Sequence, residues 1–202
     1  MSVSVSPPTR IELDDLTLVR PRPSDAERVA AAVTRSLEHL RPWMPWAAGY
    51  ADPSHAPTAA AEFLAHAERA WDDGAEYGYL LEDADATVIG AVSFMDRIGP
   101  GGREIGYWLA HDRTGRGLAT RAAAALTCAA LRLDEVDHVE IHHDRANARS
   151  GAIPRRLGYR HVGSRPSPEQ ARASGDLGIL ELWRMTVADF PASPASALLA
   201  ER

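Results

Sequence analysis

The feature that most constrains the fold is the stretch from Arg103 to Leu133, which reads REIGYWLAHDRTGRGLATRAAAALTCAALRL. Its first part predicts a strand over 103–109, the glycines Gly115 and Gly117 indicate a turn, and the alanine- and leucine-rich part predicts a long amphipathic helix. A glycine turn before a helix N-terminus presents backbone N–H groups and the positive end of the helix dipole to an anion. The stretch therefore predicts an anion-binding site.

Two common classes of phosphate-binding site do not fit this turn. A nucleotide-hydrolysing P-loop requires a lysine, and all 22 basic residues of this chain are arginines. A dinucleotide-binding turn has glycine at its sixth position directly after a strand. Here the sixth position is Thr120, and five residues separate Leu109 from Gly115.

The remaining elements place this unit in one domain. In chain order the sequence predicts β-α-α-β-β-β-α-β-α-β-β, which is typical of a mixed sheet with helices on both faces. With 202 residues, 45% of them hydrophobic, the chain suits a single domain over 11–190. The polar, proline-containing segments 1–10 and 191–202 are predicted to be flexible tails.

Charge and composition exclude several partners. A net charge of −6 and a pI of about 5.7 argue against a nucleic-acid-binding protein. Cys128 is the only cysteine, so an intrachain disulfide is excluded. The sequence shows neither a signal-peptide pattern nor an apolar run of membrane-spanning length. We therefore expect a soluble, cytoplasmic protein with neither membrane nor nucleic-acid partners.

Several segments carry a resemblance to a known family. Residues 114–119 (TGRGLA) resemble the (Gln/Arg)-x-x-Gly-x-(Gly/Ala) signature of the GNAT acyltransferase superfamily. Further segments resemble its ribosomal-protein N-terminal acetyltransferase branch, the RimJ/RimL type. These are LRPWMPW over 40–46, EIGYWL over 104–109, residues 117–120, and Asn147-x-x-Ser150 followed by Leu157-Gly158-Tyr159. The matches lie in the family's order and cover about Leu16 to Val187.

The resemblance implies both a fold and an activity. The fold would be the α/β (α+β) GNAT acyl-CoA N-acyltransferase fold, a mixed and mostly antiparallel sheet of about seven strands with helices on both faces. The activity would be direct acetyl transfer from acetyl-CoA to a primary amine, either a protein N-terminus or a small molecule. No metal takes part in such a reaction. Relatives of this branch often dimerise, so the resemblance makes a homodimer possible and leaves the oligomeric state open.

The resemblance also assigns the coenzyme site. In the family, the glycine loop holds the pyrophosphate of coenzyme A, and the pantetheine arm lies between two strands that separate at their ends. Gly106, within the opening strand, marks where a β-bulge would help that separation, although close packing also explains a glycine there. The implied coenzyme-binding residues are Trp108, Leu109, Ala110, Gly115, Arg116, Gly117, Leu118, Ala119, Thr120, Asn147 and Ser150.

A proton donor is needed for the leaving thiolate. Many relatives use a tyrosine three residues before the Leu-Gly-aromatic motif, but this chain has Pro154 at that position. In the RimL-like branch a serine lies near the sulfur instead, which makes Ser150 the candidate donor and Asn147 a pantetheine contact. Alternatively, Asn147 and Ser150 form a capping pair for a short helix, and the two roles are compatible.

The general base has two candidates. Glu104 belongs to the EIGYWL match, whereas His142 lies on the neighbouring predicted strand and needs little change in pKa to accept a proton. An exposed strand carboxylate is the alternative reading of Glu104. His138 and His142 share a strand face, but without a third ligand at a suitable spacing they do not predict a metal site. His143-Asp144 lacks the GxSxG motif of a hydrolase triad.

The acceptor half of the site lies outside these motifs. Trp43 and Trp46, in a loop with two prolines, either line a substrate pocket or fill a gap over the core, and the 165–176 loop would complete the pocket. Two rival functions remain open. The chain could be a non-catalytic acyl-CoA-binding module on the same fold, or a transferase that uses a different acyl donor.

Overall fold

The computed structural model describes residues 6–168 and 172–200, which form a mixed eight-stranded sheet with helices on both faces. The strands are β1 Arg10–Leu13, β2 Leu16–Val19, β3 Glu76–Glu82, β4 Val88–Met95, β5 Gly102–Leu109, β6 His138–Asp144, β7 Arg160–Pro166 and β8 Ile179–Thr186. The helices are α1 Ala26–Thr34, α2 Leu37–Leu40, α3 Ala56–Asp72, α4 Leu118–Ala130, α5 Ala148–Arg156 and α6 Pro194–Ala200.

The order of strands in the sheet is β1-β2-β3-β4-β5-β6-β8-β7. Only β5 and β6 pair in parallel, because α4 connects them as a crossover helix, and the other neighbours are antiparallel. The predicted mixed sheet is confirmed. It has one strand more than the seven expected, because the turn at Asp14-Asp15 divides the first element of the predicted order, a single strand, into the β1–β2 hairpin.

Each face of the sheet is covered by different helices. Along β5, Ile105 and Leu109 belong to the cluster buried under α4, whereas Trp108 points to the opposite face and packs against the cluster formed by α1 and α3. This alternation is the period of two expected for a strand that is buried on both sides. It makes β5 the central element of the fold.

The chain ends differ from the predicted tails. Residues 1–5 and 201–202 lie outside the described residues, but the carbonyl of Pro8 accepts a 2.7 Å hydrogen bond from the Tyr79 hydroxyl. At the other end, α6 packs against α4, and Ala195 is fully buried. The expectation of a flexible segment from 191 onward is therefore wrong up to residue 200, because small apolar side chains there complete the core.

The strands β5 and β6 separate after a short contact. Their pairing consists of Gly102 with His138, Arg103 with Val139 and Glu104 with Glu140, and beyond these residues β5 and β6 no longer pair with each other. The separation predicted from the family resemblance is confirmed. The β-bulge suggested at Gly106 is not present, because the β4–β5 register runs without a shift from Gly90–Leu109 to Met95–Glu104. A Cβ at Gly106 would lie 3.1 Å from Cε of Met95, a tight contact with the end of a flexible side chain, so close packing restricts this position only mildly.

Candidate active site

A cavity of about 970 Å³ opens where β5 and β6 separate. It lies within the size range of small-molecule sites, roughly 300–1,000 Å³. The predicted site residues that line it are Trp43, Trp46, Glu104, Trp108, His142, Asn147 and Ser150. The cavity thus brings the two predicted tryptophans of the acceptor side together with every predicted catalytic residue.

The acceptor side of the cavity is aromatic and partly open. The ring of Trp46 lies 5.9 Å from the ring of Trp108 and 6.0 Å from that of Tyr50, yet 43% of Trp46 is exposed. Phe63 of α3, which also lines the cavity, is 39% exposed. Two large aromatic side chains exposed at a cavity argue for a binding wall rather than a plug over the core.

The glycine turn lies outside the cavity wall at the start of α4. Gly115 and Gly117 have φ angles of +79° and +74°, a backbone conformation that favours glycine. Apart from the adjacent residues in the chain, no heavy atom of the described residues lies within 4 Å of the position that a Cβ would occupy at either glycine. Gly117 has no side chain with which to cap α4, so the first-turn N–H groups of Leu118, Ala119 and Thr120 are free for an external acceptor.

Arg116 adds a positive charge to this turn. Its side chain is exposed, and its Nη2 makes only a 3.5 Å contact with the carbonyl of Asp112. Because this contact is weak, the Arg116 guanidinium loses little free energy when it leaves it to bind a phosphate. The turn, the helix N-terminus and Arg116 together fit a pyrophosphate.

Glu104 is buried and held by two basic side chains. Arg97 donates to both of its carboxylate oxygens, at 2.8 and 2.5 Å, and Nδ1 of His142 lies 3.2 Å from Oε2. Burial alone would raise the pKa of Glu104, but the hydrogen bonds from His142 and Arg97 outweigh it and lower this pKa to about 2. Glu104 is therefore a permanent anion at neutral pH rather than an exposed strand carboxylate.

His142 lies between two carboxylates. Its Nε2 is 2.5 Å from Oε2 of Glu140, while Arg184 of β8 binds the other oxygen of Glu140 at 2.7 and 2.5 Å. Burial lowers the pKa of His142, but Glu104 and Glu140 outweigh it and raise this pKa. The result is an alternating row of charges, Arg97–Glu104–His142–Glu140–Arg184, in which both imidazole nitrogens donate.

Ser150 and Asn147 occupy the first turn of α5. The side-chain oxygen of Asn147 accepts a 3.1 Å hydrogen bond from the backbone N–H of Ser150, so the predicted capping pair is confirmed. This bond uses only the backbone N–H of Ser150, a residue that lines the cavity, and the Ser150 hydroxyl lies 3.1 Å from the Tyr107 hydroxyl. The cap leaves the hydroxyl of Ser150 available for chemistry.

His143 and Asp144 line the cavity but serve other bonds. Nδ1 of His143 donates to the carbonyl of Asp144, and Nε2 accepts from the indole N–H of Trp183. Because Nε2 accepts from the indole N–H, the imidazole is neutral, and burial, which lowers the pKa of His143, favours this form. The Asp144 carboxylate accepts from the backbone N–H groups of 146, 177, 178 and 179. A hydrolase triad is thus excluded in the structure as well as in the sequence.

Two residues of the site were missed by sequence reasoning. Arg97, just beyond β4, holds Glu104, and Tyr107 of β5 contacts Ser150. Tyr107 was visible as part of the EIGYWL match, although its partner lies 43 residues further along the chain. No signal in the sequence pairs Arg97 with Glu104.

Within 6–168 and 172–200, no group of three or more histidine, cysteine, aspartate or glutamate side chains is arranged to hold a metal ion. The same part of the chain has no helix that is long and apolar enough to cross a membrane.

The parallel strand pair that opens beside a glycine turn defines an acyltransferase of the GNAT type, and comparison with known proteins agrees. The acetyltransferase (GNAT) domain family matches residues 15–160. A Bacillus subtilis (strain 168) protein named "Putative ribosomal N-acetyltransferase YdaF" is 30% identical over 154 residues, which cover 74% of this chain and 80% of that protein. The chain therefore belongs to the GNAT acetyltransferase family, and it is an N-acetyltransferase.

Solved structures share the fold. RimJ of Mycobacterium smegmatis, solved with CoA-disulfide, superimposes with a TM-score of 0.76 at 24% identity, covering 92% of this chain and 88% of RimJ. The microcin C7 self-immunity acetyltransferase MccE, solved with acetyl-CoA and AMP, gives a TM-score of 0.79 at 19% identity, covering 89% and 97%. Both similarities establish a common architecture over nearly the whole chain.

Proposed function

We propose that this enzyme transfers the acetyl group of acetyl-CoA directly to the N-terminal amine of a protein. The observation that carries the proposal is the end of β5–β6 pairing at Glu104 and Glu140, which opens the cavity between these strands. The names of YdaF and RimJ support a ribosomal-protein N-terminus as the acceptor. Such an acceptor implies a cytoplasmic location. A homodimer stays a possible assembly, and the proposed chemistry uses residues of one chain only.

The residues present fit the coenzyme. The N–H groups at the start of α4 and the guanidinium of Arg116 would hold the pyrophosphate, with Gly115, Gly117, Leu118, Ala119 and Thr120 forming the cradle. The unpaired edge of β5 at Trp108, Leu109 and Ala110 would bind the pantetheine arm as an added strand. When bound, acetyl-CoA supplies a thioester, an acyl group activated for attack by an amine.

Glu104 would orient the amine rather than deprotonate it. A carboxyl with a pKa of about 2 is a weak base at neutral pH, but its fixed negative charge attracts an N-terminal ammonium and accepts hydrogen bonds from the amine. An N-terminal amine has a pKa of about 7.7–8.0, so a substantial fraction is neutral without an enzymatic base. His142 is the donor that fixes Glu104, and Trp43 and Trp46 form the wall beside the incoming residue.

Ser150 would protonate the leaving sulfur. Its hydroxyl lies on the α5 side of the gap between β5 and β6, and its backbone is fixed by Asn147. The experiment that tests the proposal measures release of free thiol from acetyl-CoA with a panel of peptides and small amines. We expect release with peptides that have a free N-terminus and not with their N-terminally blocked forms.

Two other outcomes correspond to the rival functions. Binding of acetyl-CoA without thiol release for any acceptor would favour a non-catalytic acyl-CoA-binding module. Release from a longer acyl-CoA but not from acetyl-CoA would indicate a different acyl donor. Selective release with small amines alone would move the acceptor class from protein N-termini to small molecules.

A further inference from the structure

Tyr107 meets Ser150 across the gap between β5 and α5. Its hydroxyl oxygen lies 3.2 Å from the carbonyl oxygen of Ser150 and 3.1 Å from Oγ of the same residue. Burial raises the pKa of Tyr107, so it remains a neutral hydroxyl group. Tyr107 and Ser150 both line the cavity. A protonated phenol is thus held against both oxygens of the proposed proton donor.

Proline at 154 explains why this contact exists. In an α-helix the carbonyl of residue i accepts from the N–H of residue i+4, which for Ser150 is residue 154. Pro154 lies inside α5 and has no N–H, so the carbonyl of Ser150 has no donor within its helix. The Tyr107 hydroxyl supplies that donor. A buried carbonyl without one would be costly.

We infer that Tyr107 is a positioning residue that orients the Ser150 hydroxyl and stabilises the charge left on its oxygen. The inference rests on the proposed role of Ser150 as proton donor. While the Tyr107 hydroxyl donates to the Ser150 carbonyl, its oxygen can accept a hydrogen bond from the Ser150 hydroxyl. This bond fixes the rotation of the Ser150 hydroxyl before the reaction. Many relatives have a tyrosine at the position of Pro154. In this chain the tyrosine hydroxyl comes instead from Tyr107 on β5, and it acts through Ser150.

The proton balance of the step is complete. As the amine nitrogen forms its bond to the acyl carbon, the C–S bond breaks and its electron pair stays on sulfur. The Ser150 O–H turns from the Tyr107 oxygen toward sulfur and gives sulfur its proton. The Tyr107 O–H turns from the Ser150 carbonyl to Oγ and stabilises the negative charge left there. The proton lost by the amine nitrogen then restores the Ser150 hydroxyl, so no external oxidant, reductant or co-reactant is needed.

The test is a double-mutant cycle on turnover. Removing a general acid costs about 100-fold or more in rate, so we expect Ser150→Ala to lower kcat by about 100-fold. Losing one hydrogen bond to that acid should cost about tenfold in Tyr107→Phe, with unchanged affinity for CoA. Because Tyr107 acts through Ser150, the double variant should be no slower than Ser150→Ala.

Tyr159→Phe is the matched control. Tyr159 is also a buried tyrosine, and its hydroxyl lies 2.6 Å from Oγ1 of Thr127, away from the cavity. Its variant loses a comparable hydrogen bond without touching Ser150. We expect its kcat to stay within about twofold of the wild type, as for a bond that has only a structural role.

A second readout needs no substrate. Tyr107→Phe should lower the Tm by about 3 °C, because the Ser150 carbonyl loses its donor. In a Pro154→Ala background the N–H of residue 154 replaces that donor, and the same substitution should then leave the Tm nearly unchanged. An equal loss of Tm in both backgrounds would overturn the assignment of Tyr107 to the carbonyl.

The outcomes separate this inference from the proposed function. If rate losses of Tyr107→Phe and Ser150→Ala multiply, Tyr107 does not act through Ser150 and the inference is overturned while the function stands. If Ser150→Ala leaves kcat unchanged, the donor role of Ser150 fails and the inference fails with it. A wild-type enzyme without transferase activity would overturn the proposed function itself.

Discussion

Nδ1 of His142 lies 3.2 Å from Oε2 of Glu104, and this contact joins two groups whose pKa values are shifted in opposite directions. The imidazole is stabilised as a cation and the carboxyl as an anion. Each is also held from its other side, His142 by Glu140 and Glu104 by Arg97. The pair therefore forms a fixed charged wall of the cavity.

The first prediction concerns the pH dependence of the rate. Because Glu104 stays ionised, kcat/KM for a peptide acceptor should rise with pH along the ionisation of the amine itself, near pH 8 for an N-terminus. Replacing the acceptor by an amine of higher pKa should move the inflection to higher pH by the difference between the two amine pKa values. An inflection that stays in place for both acceptors would identify an enzymatic base instead.

The second prediction concerns stability and pH. The lowered pKa of Glu104 contributes stability above about pH 4.5, its ordinary value, and this contribution is lost as the pH falls toward about 2. The raised pKa of His142 contributes stability below about pH 6.5, which is lost as the pH rises through its folded value. The Tm advantage of the wild type over His142→Asn should therefore be largest near pH 5–6 and shrink in alkaline buffer. An advantage that grows with pH would contradict the charged pair.

The third prediction concerns the glycine turn. Gly117→Asp places a carboxylate where the pyrophosphate is proposed to bind, and it should weaken CoA binding by about 100-fold or more, because like charges are held in contact. Aspartate at a helix N-cap also favours the helix dipole, so folding should be preserved. Gly117→Asn is the isosteric neutral control and should lose far less affinity in calorimetric titration. Equal losses for both variants would point to backbone strain at the positive φ rather than to charge.

The fourth prediction separates the cap from the chemistry. Asn147→Ala removes the acceptor for the Ser150 N–H and should cost about 1 kcal/mol in free energy of unfolding. Asn147→Asp keeps an acceptor at the same place and should retain that stability. Denaturant unfolding of the two variants measures the difference. If Asn147→Ala is as stable as the wild type, the side-chain cap has no energetic role.

Much of this fold could be predicted from local patterns. The spacing of apolar residues predicts the order of most strands and helices, because burial on one or both faces imposes a period that is visible in the sequence. The β1–β2 hairpin and α6 were missed for physical reasons. The turn at Asp14-Asp15 has only two residues, which is too short a signal to divide a strand. The proline- and serine-rich sequence around Pro194 is typical of linkers, and only the folded structure shows that Ala195 is buried in the core.

The site could be predicted only in part. Gly117, Glu104 and Ser150 belong to motifs whose spacing is local, so their positions followed from the resemblance. Arg97 and Tyr107 act through contacts between separate elements, and only the folded chain brings them to Glu104 and Ser150. The role that we propose for Glu104, orienting the amine, differs from the expected role of general base, because the hydrogen bonds from His142 and Arg97 lower its pKa to about 2.

The most direct test of the proposed N-terminal acetyl transfer is to identify which amine is acetylated in a peptide that carries both an N-terminal amine and an internal lysine. After incubation with acetyl-CoA and the wild-type enzyme, mass spectrometry should find one acetyl group on the N-terminus, released thiol in equal amount, and loss of both with Gly117→Asp. Acetylation of the lysine alone would contradict an N-terminal acceptor. Thiol release that persists in Gly117→Asp would contradict the proposed coenzyme site.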